Sequence, residues 1–151
     1  MTFPAADIVE LNQLAFRYAA AVDRCDEELF VRCFTRNARL RAYQAGSDTP
    51  FADLVGHDQL ASIPAAMRGQ YRATTHMMTN HLVEITGDGA TGEVLCMARH
   101  RSKDEAASLN VVIRYHDRYA RSETGWLIAE REIRFQWNER HEVADALLGG
   151  S

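Results

Sequence analysis

The feature that most limits what this chain can fold into is a change of period at Arg72. Before it, apolar residues recur at helical spacing. After it they alternate, in four runs at 72–86, 91–101, 108–120 and 125–136, separated by the turn-forming segments GDG, KDEAA and SETG. Parallel neighbours would need long crossovers between these runs, so the short connections predict strands that pair antiparallel. Helices first and consecutive strands second make an α+β domain, an antiparallel sheet with helices over one face.

The helical half begins with a stripe at Ile8, Leu11, Ala15, Tyr18, Ala19 and Val22, which predicts a helix over 6–24. Asp26 is placed to cap a short second helix carrying Leu29, Phe30 and Cys33. Residues 39–43 read as a short strand and 44–50 as a loop. A third helix is expected over 57–69, with a kink or break at Pro64. The tail from Asn138 reads as a short helix that frays. With 151 residues and no repeat, linker or low-complexity tract, 1–151 is expected to form one domain.

Charge and composition remove several function classes. The formal charge is -4, and Arg99, Arg101, Arg114, Arg118 and Arg121 alternate with acids instead of forming a basic run, so nucleic acid is not expected as a partner. No apolar run approaches the roughly 20 residues that cross a bilayer, so no membrane partner is expected. The three cysteines show no C-x-x-C spacing and the N-terminus lacks a signal-like apolar region, which reads as a reduced, cytoplasmic protein. There is no glycine-rich phosphate loop, no H-x-x-x-H pair on a helix and no G-x-S-x-G, so neither cofactor nor metal is expected.

Alternation sorts the strand residues by face. Val94, Cys96, Ala98 and His100 share one row of their strand, and Ile113 and Tyr115 one row of the next. His76, Met78 and Asn80 oppose His81, so only one of the two histidines faces inward unless a bulge intervenes. Asp23 is the most out-of-place charge, at the end of the buried stripe after YAAAV. Either it ends the helix in water, or it meets an inward histidine, fixes its tautomer and leaves the other ring nitrogen free as a base. Arg131 and Arg134 are candidates for positive charge at a pocket mouth, with a solvated strand face the competing account for at least one of them.

Three stretches, YAAAVDRCDEELFVRCF, TTHMMTNHLVEITGDGATGEVLC and YHDRYARSETGWLIAEREI, resemble the SnoaL-like members of the nuclear transport factor 2-like superfamily over residues 6–137. Within it the motifs are most similar to the scytalone dehydratases and hexachlorocyclohexane dehydrochlorinases. The resemblance implies a cone-shaped, curved antiparallel sheet of the cystatin-like kind, with N-terminal helices covering the concave face around a deep apolar pocket. It implies a cofactor-free dyad of Asp23 and His76, and chooses His76 as the inward histidine, leaving His81 on the outer face. It also implies His100 as a second pocket histidine and Tyr18 as an alternative second group. The pocket would be lined by Val22, Met78, Asn80, Val94, Cys96, Ile113, Tyr115 and Arg131. Val22, Ile113 and Tyr115 stand where scytalone dehydratases carry tyrosine, serine and asparagine, which points away from the same substrate.

The expected function is therefore a cofactor-independent lyase or isomerase, dehydratase-like, using an Asp-His base on a hydrophobic cyclic molecule such as a polyketide, steroid or aromatic metabolite. The competing expectation is a non-catalytic module that binds a small molecule or supports an assembly, including a role like a dioxygenase small subunit. The resemblance also implies a homodimer through the outer sheet face, where Leu95, Met97 and Val112 fall on outward rows.

Overall fold

The computed structural model describes residues 5–104 and 106–143. Helix α1 spans Ala5–Arg24 and buries Leu11, Leu14, Ala15, Tyr18, Ala19, Ala21 and Val22, the stripe that its apolar spacing predicts. It ends in a Schellman arrangement: Cys25 donates to the carbonyl of Val22 (3.0 Å) and Asp26 to that of Ala21 (2.9 Å). Cys25 therefore sits in the left-handed region at φ 51°, a place that favours glycine. Asp26 then accepts a hydrogen bond from the Leu29 amide (2.9 Å) and caps α2, Glu27–Arg32.

Strand β1 covers Phe34–Tyr43, longer than 39–43 because its first residues pair in a different register before the ladder settles at Arg39. A four-residue strand β2, Ala52–Val55, follows the 44–50 loop. The single helix expected over 57–69 is two, α3 (Gly56–Leu60) and α4 (Ser62–Gln70), and the break falls at Ala61. Pro64 stands in the first turn of α4, where a helix has no use for the amide proton that proline lacks. Four long strands follow: β3 (Tyr71–Thr86), β4 (Gly89–Ser102), β5 (Ala107–Ser122) and β6 (Gly125–Glu142). Residues 138–142 extend β6 and are not helical, a correction that follows from their ladder with 107–111. The rest of the tail, from 144, lies outside the described residues.

The six strands form one curved open sheet in the order β2-β1-β6-β5-β4-β3. Neighbours from β3 to β6 are antiparallel, as their short connections require. β1 and β6, however, run parallel, joined through nearly the whole intervening chain. Helix α1 lies over the inward rows of the sheet, and Leu11, Leu14, Tyr18 and Val22 share a core with Val94, Cys96, Val111, Ile113 and Tyr115. Burying such side chains contributes about 1.5–3 kcal/mol each.

Four bulges interrupt the alternation in the antiparallel ladders of β3–β6; the one at Gln136, between the pairs Phe135–Ile113 and Trp137–Val112, turns Trp137 outward, and the other three decide what faces α1. In β3, Arg72 is an extra residue between the pairs Tyr71–Ser102 and Ala73–Arg101, and Thr79 and Asn80 share the space opposite Leu95. In β6, Ala129 is extra between Ile128–Tyr119 and Glu130–Arg118. Each extra residue reverses the facing of all that follows until the next irregularity.

Candidate active site

Asp23 lies in the last turn of α1, where the helix dipole disfavours an acid by about 0.3–1 kcal/mol. Three donors from one strand offset this. Asp23 Oδ1 accepts from His76 Nδ1 (2.7 Å) and from the Thr74 hydroxyl (2.9 Å), and Oδ2 accepts from the His76 backbone amide (2.9 Å). Thr74 and His76 stand two apart on β3, so their side chains share a face and straddle one carboxylate. Burial pushes the Asp23 carboxyl up, but the His76 ring, the His76 amide and Thr74 outweigh it and hold the group below its ordinary value. A carboxylate has no proton to give, so His76 Nδ1 carries the hydrogen and Nε2 keeps its lone pair.

That lone pair faces a second histidine. His100 Nε2 lies 3.5 Å from His76 Nε2, and the two rings are 5.3 Å apart. His100 is buried, and burial first, then the neighbouring His76, lower its pKa to about 4 against the opposing pull of Asp23. It is thus neutral near pH 7 and able to donate one N–H. The ring of Tyr71 also packs on it, 4.6 Å away. No sequence signal pointed to Tyr71, because strict alternation from His76 leaves it on the outer face; the bulge at Arg72 turns it inward.

The remaining expected pocket residues divide. Met78 is half-buried against the core, and Val22, Val94, Cys96, Ile113 and Tyr115 are buried in it. Burial lifts the Cys96 thiol to about 11, so it packs as a small apolar group. Asn80 is exposed, contrary to its expected place beside the base, because it belongs to the second bulge. The same bulge overturns the outer-face assignment of His81. His81 Nδ1 meets Asn12 Oδ1 of α1 (2.8 Å) and Nε2 meets the Tyr119 hydroxyl (3.0 Å), so both histidines face the helix.

Arg131 is not at a mouth. The bulge at Ala129 turns it into the core, where its side chain is 0% exposed and pairs with an equally buried Asp117. Nε and Nη2 donate to the two carboxylate oxygens at 2.7 and 2.6 Å, and Tyr119 donates to Asp117 at 2.7 Å. The guanidinium lies against the rings of Tyr18 (4.1 Å) and Tyr115 (4.4 Å), while Nη1 is buried with no hydrogen-bond partner. Tyr18 is thereby held by Arg131, Phe30, Phe34 and Tyr115. A concavity of about 750 Å³ lies on the convex face among Arg41, Glu93, Arg118 and Glu130, away from the dyad. Among the described residues no group of three metal-ligating side chains converges, and no helix is long and apolar enough to cross a membrane.

Comparison with known proteins adds to this geometry. The model of the SnoaL-like domain matches residues 4–132. A candidate scytalone dehydratase of Novosphingobium aromaticivorans superposes with a TM-score of 0.80 at 18% identity, covering 93% of this chain and 91% of that one. A candidate aromatic ring hydroxylase of the same organism gives 0.81 at 23% identity, covering 95% and 98%. A hexachlorocyclohexane dehydrochlorinase of Novosphingobium barchaimii gives 0.78 at 14% identity, covering 91% of each chain. No curated protein matches the sequence.

Proposed function

The chain belongs to the SnoaL-like domain family, and from that premise we propose that it is a cofactor-independent lyase or isomerase of the dehydratase kind, with the Asp23–His76 pair as its base. The observation that carries this reading is the 2.7 Å contact between Asp23 and His76 Nδ1, which leaves His76 Nε2 as a proton acceptor. Nε2 takes a proton from a carbon next to a carbonyl, and Asp23 stabilises the imidazolium that results. The electron pair forms a carbon–carbon double bond, and the β-hydroxyl, held by a hydrogen bond from the second group, leaves as water with the proton that His76 took up. In isomerisation the same proton returns to another carbon. His100 supports the part of second group better than Tyr18, since it sits against His76 while the Tyr18 ring lies on Arg131. The buried, unpartnered Arg131 Nη1 is a donor for a substrate oxygen in that apolar surrounding. The apolar side chains that share the core with these groups, Val22, Met78, Val94 and Cys96 among them, are of the kind that would line a site for a hydrophobic cyclic substrate, such as a polyketide, steroid or aromatic metabolite.

The test follows deuterium entering the α-carbon of cyclic β-hydroxy ketones in heavy water, together with water loss. His76→Ala and Asp23→Asn are each expected to slow both by about 10²–10⁴-fold. Turnover that survives both substitutions unchanged would overturn the base.

The convex face supports a homodimer. Met77, Met97, Val112 and Trp137 pair in turn across β3, β4, β5 and β6, and Met77, Met97 and Trp137 are 43–53% exposed. Such a row favours a second copy of the chain. Met97→Glu is expected to convert a dimer to a monomer in sedimentation velocity, and a wild-type chain already monomeric at micromolar concentration would sink the assignment. The same row favours the competing reading, a non-catalytic module in a larger assembly, which requires ligand binding without turnover.

A further inference from the structure

Tyr71 is the first residue of β3 and faces inward only because Arg72 is bulged out of the ladder. Its ring lies 4.6 Å from the His100 ring at an interplanar angle of 40°, and the His100 ring lies 5.3 Å from that of His76. The titratable groups set against His100 are His76 and Tyr71 of β3 and Asp23 of α1; across the ladder β5 places Leu109. His100 is 6% exposed, while Tyr71 is half-buried and its phenol is pushed up by burial. The ring of Tyr71 thus covers part of a buried imidazole.

We propose that Tyr71 is a positioning residue, whose ring seals His100 from water and holds its Nε2 against the base. This rests on the reading of His76 as the base. A neutral His100 offers a hydrogen-bond donor without placing a charge 3.5 Å from the nitrogen that must take the substrate's proton. Were water to reach the ring, its charged form would be solvated and gain ground at higher pH. His100 would then carry a positive charge beside His76, and the proton acceptor would face a repelling neighbour. The aromatic face, not the phenol, does this, so phenylalanine should serve as well as tyrosine.

The experiment is an NMR titration of ¹⁵N-histidine-labelled protein, with the His100 signals assigned through His100→Gln. In the wild type and in Tyr71→Phe the His100 midpoint is expected near 4. In Tyr71→Ala it should rise by about one unit or more toward the ordinary histidine value. Tyr71→Leu keeps bulk without the ring and provides a second variant if alanine fails to fold; it should rise part of the way. An unchanged midpoint in the folded alanine or leucine variants would overturn the proposal, as would a phenylalanine variant that shifts as far as alanine. The readout needs no substrate. Loss of the base assignment would show as turnover surviving His76→Ala, leaving this titration untouched, so the two failures are distinguishable.

Discussion

At the scale of single residues, the polar groups in the core carry the cost that makes them informative. Two histidines, His81 and His100, are held neutral by burial, and each therefore links stability to pH. For His100 the folded value is about 4 and the ordinary value 6.5. A basic group whose folded pKa is depressed lets the unfolded chain bind the proton first, so stability falls as pH drops from 6.5 toward 4. The gap amounts to about 3 kcal/mol at full extent. Urea unfolding at pH 7.5 and pH 5 should show a lower midpoint at pH 5 in the wild type. His100→Gln should remove much of that difference; an equal slope in the variant would refute the assignment. Arg131 and Asp117 illustrate the same expense, since a buried pair seldom out-stabilises apolar residues of its size. Asp23 was legible as a misplaced acid, but its partner His76 came only from the family resemblance, because nothing in the alternation sets the distance between a helix end and a strand.

At the scale of elements, the bulges explain which expectations held. Helix α1 and the four long strands could be read because periodicity is local. The bulges at Arg72, Thr79/Asn80 and Ala129 contain no glycine or proline to mark them, and beyond each lies a residue whose facing differs from strict alternation: Tyr71, His81 and Arg131. β2 escaped notice as a four-residue strand of mixed exposure. The second bulge also explains Gly92. A Cβ there would come within 2.9 Å of Tyr119 Cε2, 3.1 Å of His81 Nε2 and 3.1 Å of the Leu82 carbonyl oxygen. The last is backbone and cannot swing away. Gly92→Ala is expected to cost about 1–3 kcal/mol by overpacking, measured as a lowered urea midpoint. An alanine variant as stable as the wild type would show that the His81–Tyr119 contact gives way freely.

At the scale of the whole molecule, the antiparallel run from β3 to β6 follows from connection lengths alone. The union of β1 with β6 does not, because it joins Phe34–Tyr43 to Ile128–Arg134 across most of the chain, and no local pattern records a partner so remote. That pairing has a consequence for synthesis. A ribosome releases β1 long before β6 exists, so β1, paired only with β2, stays without its second ladder until residues near Arg134 emerge. Until then the apolar faces of Phe34, Leu40 and Tyr43 lack their sheet partner, and the nascent chain depends on its helices, or on a chaperone, to shelter them. Closure of this sheet is thus an event of the last stage of translation, and chains halted before β6 are the ones most exposed to aggregation.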